Sequence, residues 1–343
     1  MTTSSKKTTV VIPIHNSSST LIDSISSLDD QLEVDITLII VDDFGGDNCN
    51  NLIESYFVQR NSGQAISSWQ MIVHPSYTGL AGAYNSGIRA SSSSIVVFMQ
   101  PDIRLPSPNE LARLIQPFED CAVVAATHQS VAPSDSYWKQ LNLWGKAFLA
   151  PSLFARAQGF NGQFDAIRRK ALIEIGLFDG VRYRNAGEDG DIIFRLSKIG
   201  QIVGSGARAQ HCHNFGKDPT ILNYQSKALQ YGNAQGALLR NRSLPGLLNK
   251  MVIFHRELLC ALFLASCFTG SRLVTFLSLC TLFGSSSRLV FKLASTGIVG
   301  PISGMKIFVG ELLKHPVHFL GSAFGFAQGK QRLRVLSDLF KRN

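Results

Sequence analysis

Four short segments carry side chains whose types and spacing could do chemistry. Val41–Asp42–Asp43 closes an apolar run with two adjacent carboxylates. These can accept hydrogen bonds from a base or ribose, assist a metal, or cap the following turn. Gln100–Pro101–Asp102 follows the apolar run Ser94–Met99. A carboxylate there can hold a divalent cation against a diphosphate, because one or two carboxylates plus substrate phosphates are a common Mg²⁺ ligand set. The alternative is a plain turn. Gly187–Glu188–Asp189–Gly190–Asp191 puts three carboxylates in four positions at the start of a predicted helix, where the helix dipole favours them. The flanking glycines admit close approach of backbone and ligand, and one of the carboxylates can act as a general base. Arg195 lies four residues after Asp191 and can pair with it on one helical face, which gives Asp191 a structural role and leaves Asp189 for chemistry. In His211–Cys212–His213–Asn214 the two histidines lie two apart, on one face of a strand. Imidazoles so placed are metal ligands or structural hydrogen-bonding groups.

The elements that must position these residues are strands and helices in alternation. Thr8–Ile14, Val34–Val41, Gln70–His74 and Ser94–Met99 read as short strands, separated by helical patterns over Thr20–Leu32 and Gly79–Ala90, the latter rich in small residues. Apolar strands of this length alternating with helices predict an α/β fold with a mainly parallel central sheet covered on both faces. In such sheets ligands bind outside the carboxyl ends of the strands. His15, Asn16, Asp42, Asp43, Gln100 and Asp102 stand at those ends. A dinucleotide-binding glycine fingerprint is absent after the first strand, where the sequence is Pro13–Ile14–His15–Asn16, and this argues against a dehydrogenase.

The chain of 343 residues carries a formal charge of +9. That balance suits phosphate-bearing ligands or an anionic membrane surface. Nucleic acid is not expected as a partner, because no dense basic block interleaved with aromatics occurs. The six cysteines form no CxxC pair and read as reduced. Residues 1–16 lack the apolar stretch and cleavage site of a secretory signal, which predicts a cytoplasmic protein. From about Gly246 the composition turns apolar, so a catalytic region 1–245 and a C-terminal apolar helical region 246–343 are expected. Within the latter, Leu258–Ser271 and Leu273–Ser287 are uncharged but each is shorter than the ~18–20 residues that span a bilayer. They can be interfacial helices, a re-entrant hairpin or buried helices. Ile307–Gly329 is amphipathic, with Pro316 expected to interrupt it. Tyr137, Trp138 and Trp144 suit either a sugar acceptor or a helical core.

Taken in order, these segments resemble the inverting family 2 glycosyltransferases of the GT-A fold, with rhamnosyltransferase-like enzymes of bacterial cell-surface polysaccharide assembly among them. Val10–Asn16 resembles the family's opening strand, Val41–Asp47 its "VDDGSTD", Thr78–Ile88 its small-residue helix and Met99–Asp102 its D-x-D region. Gly159–Asp179 with Gly187–Gly200 resembles its acceptor-side block, and His211–Gly216 its late histidine motif. Gln100 replaces the first Asp of D-x-D. The resemblance implies a nucleotide-sugar site formed by Pro13, His15, Asp42, Asp43, Asn85, Gln100 and Asp102. It also implies a divalent cation, Mn²⁺ or Mg²⁺, on Asp102 with His211 or His213, and Asp189 as the catalytic base. The partners it implies are a nucleotide-sugar donor and a glycan or lipid-linked acceptor. The apolar C-terminal region then suits a membrane surface at the inner face of the plasma membrane. The readings that compete with this one are a non-catalytic nucleotide-sugar or glycan binder, an NAD-dependent oxidoreductase and a nucleotidyltransferase.

Overall fold

The computed structural model describes residues 6–60, 63–131, 135–154, 160–212, 218–241, 255–295 and 297–331. The chain divides into two compact units, Met1–Pro133 with Ala155–Gly216, and Ser134–Phe154 with Lys217–Asn343. The change of composition near residue 246 falls inside the second.

Elements numbered along the chain give the first unit β1 (Lys6–Ile14), α1 (Leu21–Asp29), β2 (Val34–Asp42), α2 (Cys49–Gln59), β3 (Ile66–Val73), α3 (Leu80–Ala90), β4 (Ile95–Met99), β5 (Ile103–Arg104), α4 (Glu110–Ile115) and β6 (Val123–Val131). Helices α5 (Asp135–Gln140) and α6 (Leu143–Phe154) belong to the second unit. The first unit resumes with β7 (Phe164–Arg168), α7 (Arg169–Glu174), α8 (Glu188–Leu196) and β8 (Gln201–His211). The strands form one sheet in the order β3-β2-β1-β4-β7-β6-β8-β5. Pairings β1–β2, β2–β3, β1–β4 and β6–β8 are parallel. β7 runs antiparallel to both neighbours, and β5 pairs antiparallel with β8.

Alternation along the strands builds a core on each face of the sheet. Val10, Ile12, Leu38, Ile40 and Val97 pack with Leu21 and Ile25 of α1 on one side. Val11, Ile39, Val41, Val96 and Phe98 pack with Tyr84 and Ile88 of α3 on the other. Helix α3 lies close to β1, as its small residues predict: a Cβ on Gly87 would meet the side chain of Val11. Strand β3 begins at Ile66, four residues before the expected start, because Ile66–Gln70 is mostly exposed and lacks an apolar signature. The expectation of a mainly parallel sheet is met, and the antiparallel β7 is the feature that composition did not announce.

The second unit contains α5, α6, α9 (Ile221–Arg240), α10 (His255–Thr269), α11 (Arg272–Ser295) and α12 (Pro301–Gln328). Thr220 and Asn223 close a reciprocal capping box at the start of α9. Helices α9 and α12 approach through glycine. A Cβ on Gly232 or Gly236 would strike the backbone of α12, and one on Gly321 or Gly325 the backbone of α9. Pro316 lies inside α12 and does not interrupt it. Packing against α9 on both sides of Pro316 outweighs the one lost hydrogen bond. Helix α11 likewise runs on through Arg288 and Lys292 to 24 residues. It is longer than the uncharged stretch within it, since neither the exposed Arg288 nor the half-buried Lys292 ends the helix. Among the described residues, α11 is the one helix long and apolar enough to cross a membrane. Trp144 packs on Tyr224 at 5.7 Å between ring centres and belongs to this unit's core, and Trp138 is buried.

Candidate active site

Strands β1, β2 and β4 end side by side, and their polar termini form the first part of the site. Pro13 sits opposite Val41 of β2, beyond the last rung to β4 at Val11–Phe98, where a missing N–H costs that ladder nothing. The ring of His15 turns back so that its Nδ1 lies 3.0 Å from the carbonyl of Asp43. Asp42 accepts from the N–H of Gly45 at 2.7 Å, and a Cβ on Gly45 would come 2.8 Å from that carboxylate. Asn16 and Phe44 follow β1 and β2 in the left-handed region, at φ of 55° and 63°. Such conformations in non-glycine residues cost energy that the surroundings must supply, and they gather at functional sites. The Asn16 side chain takes the N–H of Gly46 at 2.8 Å and so joins the two loops.

Asp43 is buried and heavily engaged. One oxygen accepts from the N–H and hydroxyl of Thr78, each at 2.7 Å, with Nδ1 of His74 at 2.9 Å; the other accepts from the N–H of Gly79 at 2.6 Å. The carboxylate therefore orders the loop that opens α3. Asn85 has a comparable role further along that helix. Its amide donates to the carbonyl of Phe178 at 2.8 Å and accepts from the N–H of the same residue at 3.0 Å, which spends both ends on one backbone.

The second part of the site lies past β4. The N–H of Gln100 donates to the carbonyl of Gln163 at 3.0 Å, and two residues later Asp102 meets His211 from the end of β8, Oδ2 to Nε2 at 2.9 Å. The side-chain amide of Gln163 lies 3.4 Å from the other ring nitrogen of His211. The short β5–β8 pairing, Ile103 with His211, fixes this meeting. A carboxylate oxygen and an imidazole nitrogen at hydrogen-bond distance fit a divalent cation that arrives with a diphosphate supplying the remaining oxygens. No group of three such side chains occurs among the described residues. His213 lies outside the described residues.

The third part is the start of α8. Gly187, at φ 89°, turns the chain into the helix. Asp189 accepts from the N–H of Gly190 at 2.7 Å. Burial raises its carboxyl above the ordinary carboxylate range, and the nearby charge of Asp165 adds to the shift. Asp191 pairs with Arg195 at 2.6 Å, as the four-residue spacing predicts. The same guanidinium donates to the carbonyls of Ile175 and Leu177, each at 2.7 Å. Replacing Arg195 with alanine strands a buried carboxylate and frees that turn. A loss of about 2–3 kcal/mol in thermal or denaturant unfolding is expected, somewhat below the range for a fully buried pair because Arg195 is 23% exposed. An unchanged unfolding transition would show that the brace is dispensable.

Beneath these parts lies the wholly buried phenol of Tyr84, which donates to the carbonyl of Gly162 at 2.8 Å. Burial pushes its pKa well above the usual tyrosine value, and the charges of Glu188, Asp165, Asp102 and Asp189 push the same way. Through Gly162 this phenol reaches the turn that Asp165 also holds, one residue before the Gln163 that pairs with Gln100. Sequence reading missed this phenol and its neighbour, Asp165. One oxygen of Asp165 sits 3.0 Å from the ring of His128, and the other takes the N–H groups of Asn161 and Gly162 at 2.9 and 2.8 Å. It also missed Tyr77 and Arg184. Those two residues stand in loops, where no periodicity marks them.

Residues 9–176 match the family model described as Glycosyl transferase family 2. An uncharacterised glycosyltransferase of Nostoc sp. strain PCC 7120 is 26% identical over 204 residues, which is 57% of this chain and 61% of the Nostoc protein, less than two thirds of that protein's length. Among solved structures, the mannosyltransferase PcManGT from Pyrobaculum calidifontis, in complex with GDP-Man and Mn²⁺, superposes with a TM-score of 0.58 at 14% identity, covering 91% of this chain and 86% of that one. At that identity the likeness speaks for the fold, which is GT-A. The ordered strand ends and the Asp102 turn lie within residues 9–176, the segment that matches glycosyl transferase family 2, and the helix of Asp189 and the strand of His211 follow it.

Proposed function

We propose that the chain transfers a sugar from a nucleotide-diphospho-sugar to an acceptor hydroxyl with inversion at the anomeric carbon. The observation that carries this reading is the Asp102–His211 pair, 2.9 Å apart past the strand ends, in a chain whose residues 9–176 match family 2, with Asp189, its carboxyl raised by desolvation, at the start of α8. A base whose pKa is raised toward the working pH is better matched to taking a proton from a hydroxyl.

The reaction is a single in-line displacement. Asp189 takes the acceptor's proton as the hydroxyl oxygen bonds to the anomeric carbon. The bond from that carbon to the diphosphate oxygen breaks, and its electron pair leaves with the nucleoside diphosphate. One displacement inverts the centre. His15 and Asp42 at the strand ends hold the nucleoside, and Asp43 shapes the adjoining loop. Asp102 and His211 are the residues that would hold a divalent cation, Mn²⁺ or Mg²⁺, which when bound supplies positive charge to the departing diphosphate. The Pyrobaculum mannosyltransferase, of like fold, is itself in complex with a sugar nucleotide, GDP-Man, and Mn²⁺. The configuration of the product's anomeric carbon, read by proton NMR, tests the displacement. Inversion relative to the donor is expected, and retention would contradict a single step.

The acceptor in this reading is a glycan or lipid-linked sugar met at the inner face of the plasma membrane, in cell-surface polysaccharide or glycolipid assembly. The second unit supports it by the placement of its polar and apolar groups. Its interior holds Glu257 with His318 at 2.9 Å and Ser322 at 2.6 Å, and His315 with Ser285 and Ser286 at 3.1 and 3.0 Å. Its surface carries Phe268, Leu273, Phe276, Leu277, Phe283 and Phe291. Glu257 and Glu311, the acidic residues between His255 and Gln331, are both buried, whereas Arg272, Arg288 and Lys306 are exposed. Between His255 and Gln331 the described exterior is apolar with only basic charges, which suits hydrocarbon beneath anionic headgroups. The full chain is therefore expected to float with phosphatidylglycerol vesicles and to stay with them in high salt, because burial of apolar area rather than screened charge holds it. Release by salt, or failure to float, would contradict this placement.

A further inference from the structure

Two loops 107 residues apart in sequence interlock beside the site. The guanidinium of Arg184 donates to the carbonyl of Tyr77, and to that of Thr78 at 3.1 Å. It also lies over the Tyr77 ring, 5.0 Å from its centre. The Tyr77 hydroxyl returns the contact, donating to the side chain of Asn185 at 2.5 Å. The crossing is tight: at Gly79, φ 86°, a Cβ would run into the backbone and side chain of Arg184 and come 2.9 Å from Asn185.

Each end of this tie stops at a functional part. On one side, Thr78 and Gly79 are the residues gripped by Asp43, and the edge of the His15 ring meets Tyr77 at 5.0 Å. On the other, Arg184 and Asn185 lie just before Gly187, which caps α8 and leads to Asp189. Gly187 offers no side-chain cap, so the first turn of that helix is not fixed by its own N-cap side chain. The Arg184 tie anchors the segment before that helix from outside, as Arg195 braces the helix itself.

We propose that Arg184 is a positioning residue: by fastening the segment that carries Asp189 to the loop held by Asp43, it keeps the base and the nucleotide-binding strand ends at one spacing. The proposal rests on the reading of Asp189 as the base. Arginine suits the task because its rigid fork reaches two carbonyls while its plane stacks on an aromatic ring. Small misplacements of a catalytic group far from the chemistry cost up to roughly 10²-fold in rate.

A double-mutant cycle on the full chain tests it, with transfer measured at saturating donor and acceptor for wild type, Arg184→Ala, Asp189→Asn and the double variant. Arg184→Ala is expected to lower kcat by about 10- to 100-fold with little change in donor KM. The double variant is expected to be no slower than Asp189→Asn alone, because a misplaced base and an absent base are the same loss. Effects that multiply would overturn the proposal, since Arg184 would then act through something other than Asp189. Asp189→Asn at the wild-type rate would overturn the reading of the base itself, a distinct outcome. Tyr77→Phe removes the hydroxyl that bonds Asn185, keeps the ring beside Arg184, and serves where Arg184→Ala does not fold. It should show the same non-additivity at smaller size, and multiplication there would equally overturn the proposal.

Discussion

Replacing Asp189 by asparagine is expected to lower sugar transfer by about 10²-fold or more while the nucleotide-sugar still binds, as measured by initial rates and by calorimetry with donor alone. The substitution keeps shape and one acceptor oxygen but removes the basic oxygen, so binding through the strand ends is spared. The wild-type pH profile carries the same information. Burial raises the Asp189 carboxyl, so its basic form is lost as pH falls through a value above the ordinary carboxylate range. The acid limb of kcat/KM should therefore lie at higher pH than a solvent-exposed aspartate would give, and Asp189→Asn should abolish that limb. A variant that transfers at the wild-type rate would remove Asp189 from the mechanism.

Replacing Asp102 by alanine is expected to cost roughly 10²-fold in transfer, the size found when one electrostatic contributor at a developing charge is removed. The change should also weaken cation binding in the presence of nucleoside diphosphate, followed by calorimetry with Mn²⁺. His211 then loses its carboxylate partner at 2.9 Å. His211→Ala should act in the same direction but less strongly, since the anionic ligand remains. An Asp102 variant with unchanged cation dependence would show that the pair serves only to join β8 to the turn after β4.

Much of the sheet's carboxyl edge, where the candidate site lies, could be read from sequence because its signals are local. Strands β1, β2 and β4 are covered on both faces and appear as continuous apolar runs, so the polar residues after them marked the sheet's carboxyl edge. The Asp191–Arg195 pair followed from helical spacing alone. What escaped depends on distant contacts. Gln201–His211 is an eleven-residue strand whose outward positions are largely exposed; it carries no long apolar run, and Gly204–Ser205–Gly206 within it reads as a turn. Asp43 was expected at the nucleotide, yet whether its oxygens point to a ligand or to a loop depends on where Thr78 and Gly79 fall, which Asp42–Asp43 does not encode. Asp165 and Arg184 act on residues brought near only by β7 and by the loop before α8. In the helical unit, Pro316 was expected to interrupt its helix, but packing along α12 carries the helix through it.

The most direct test of the central claim is release of nucleoside diphosphate by the wild-type chain from a panel of sugar nucleotides, with Mn²⁺ or Mg²⁺ and with the cation chelated. Glycosyl transfer by this site predicts that one donor is turned over, slowly by hydrolysis without acceptor, and that chelation stops the release. A donor that binds yet stays intact across glycan and lipid-linked acceptors would contradict the account and make the chain a nucleotide-sugar-binding relative instead.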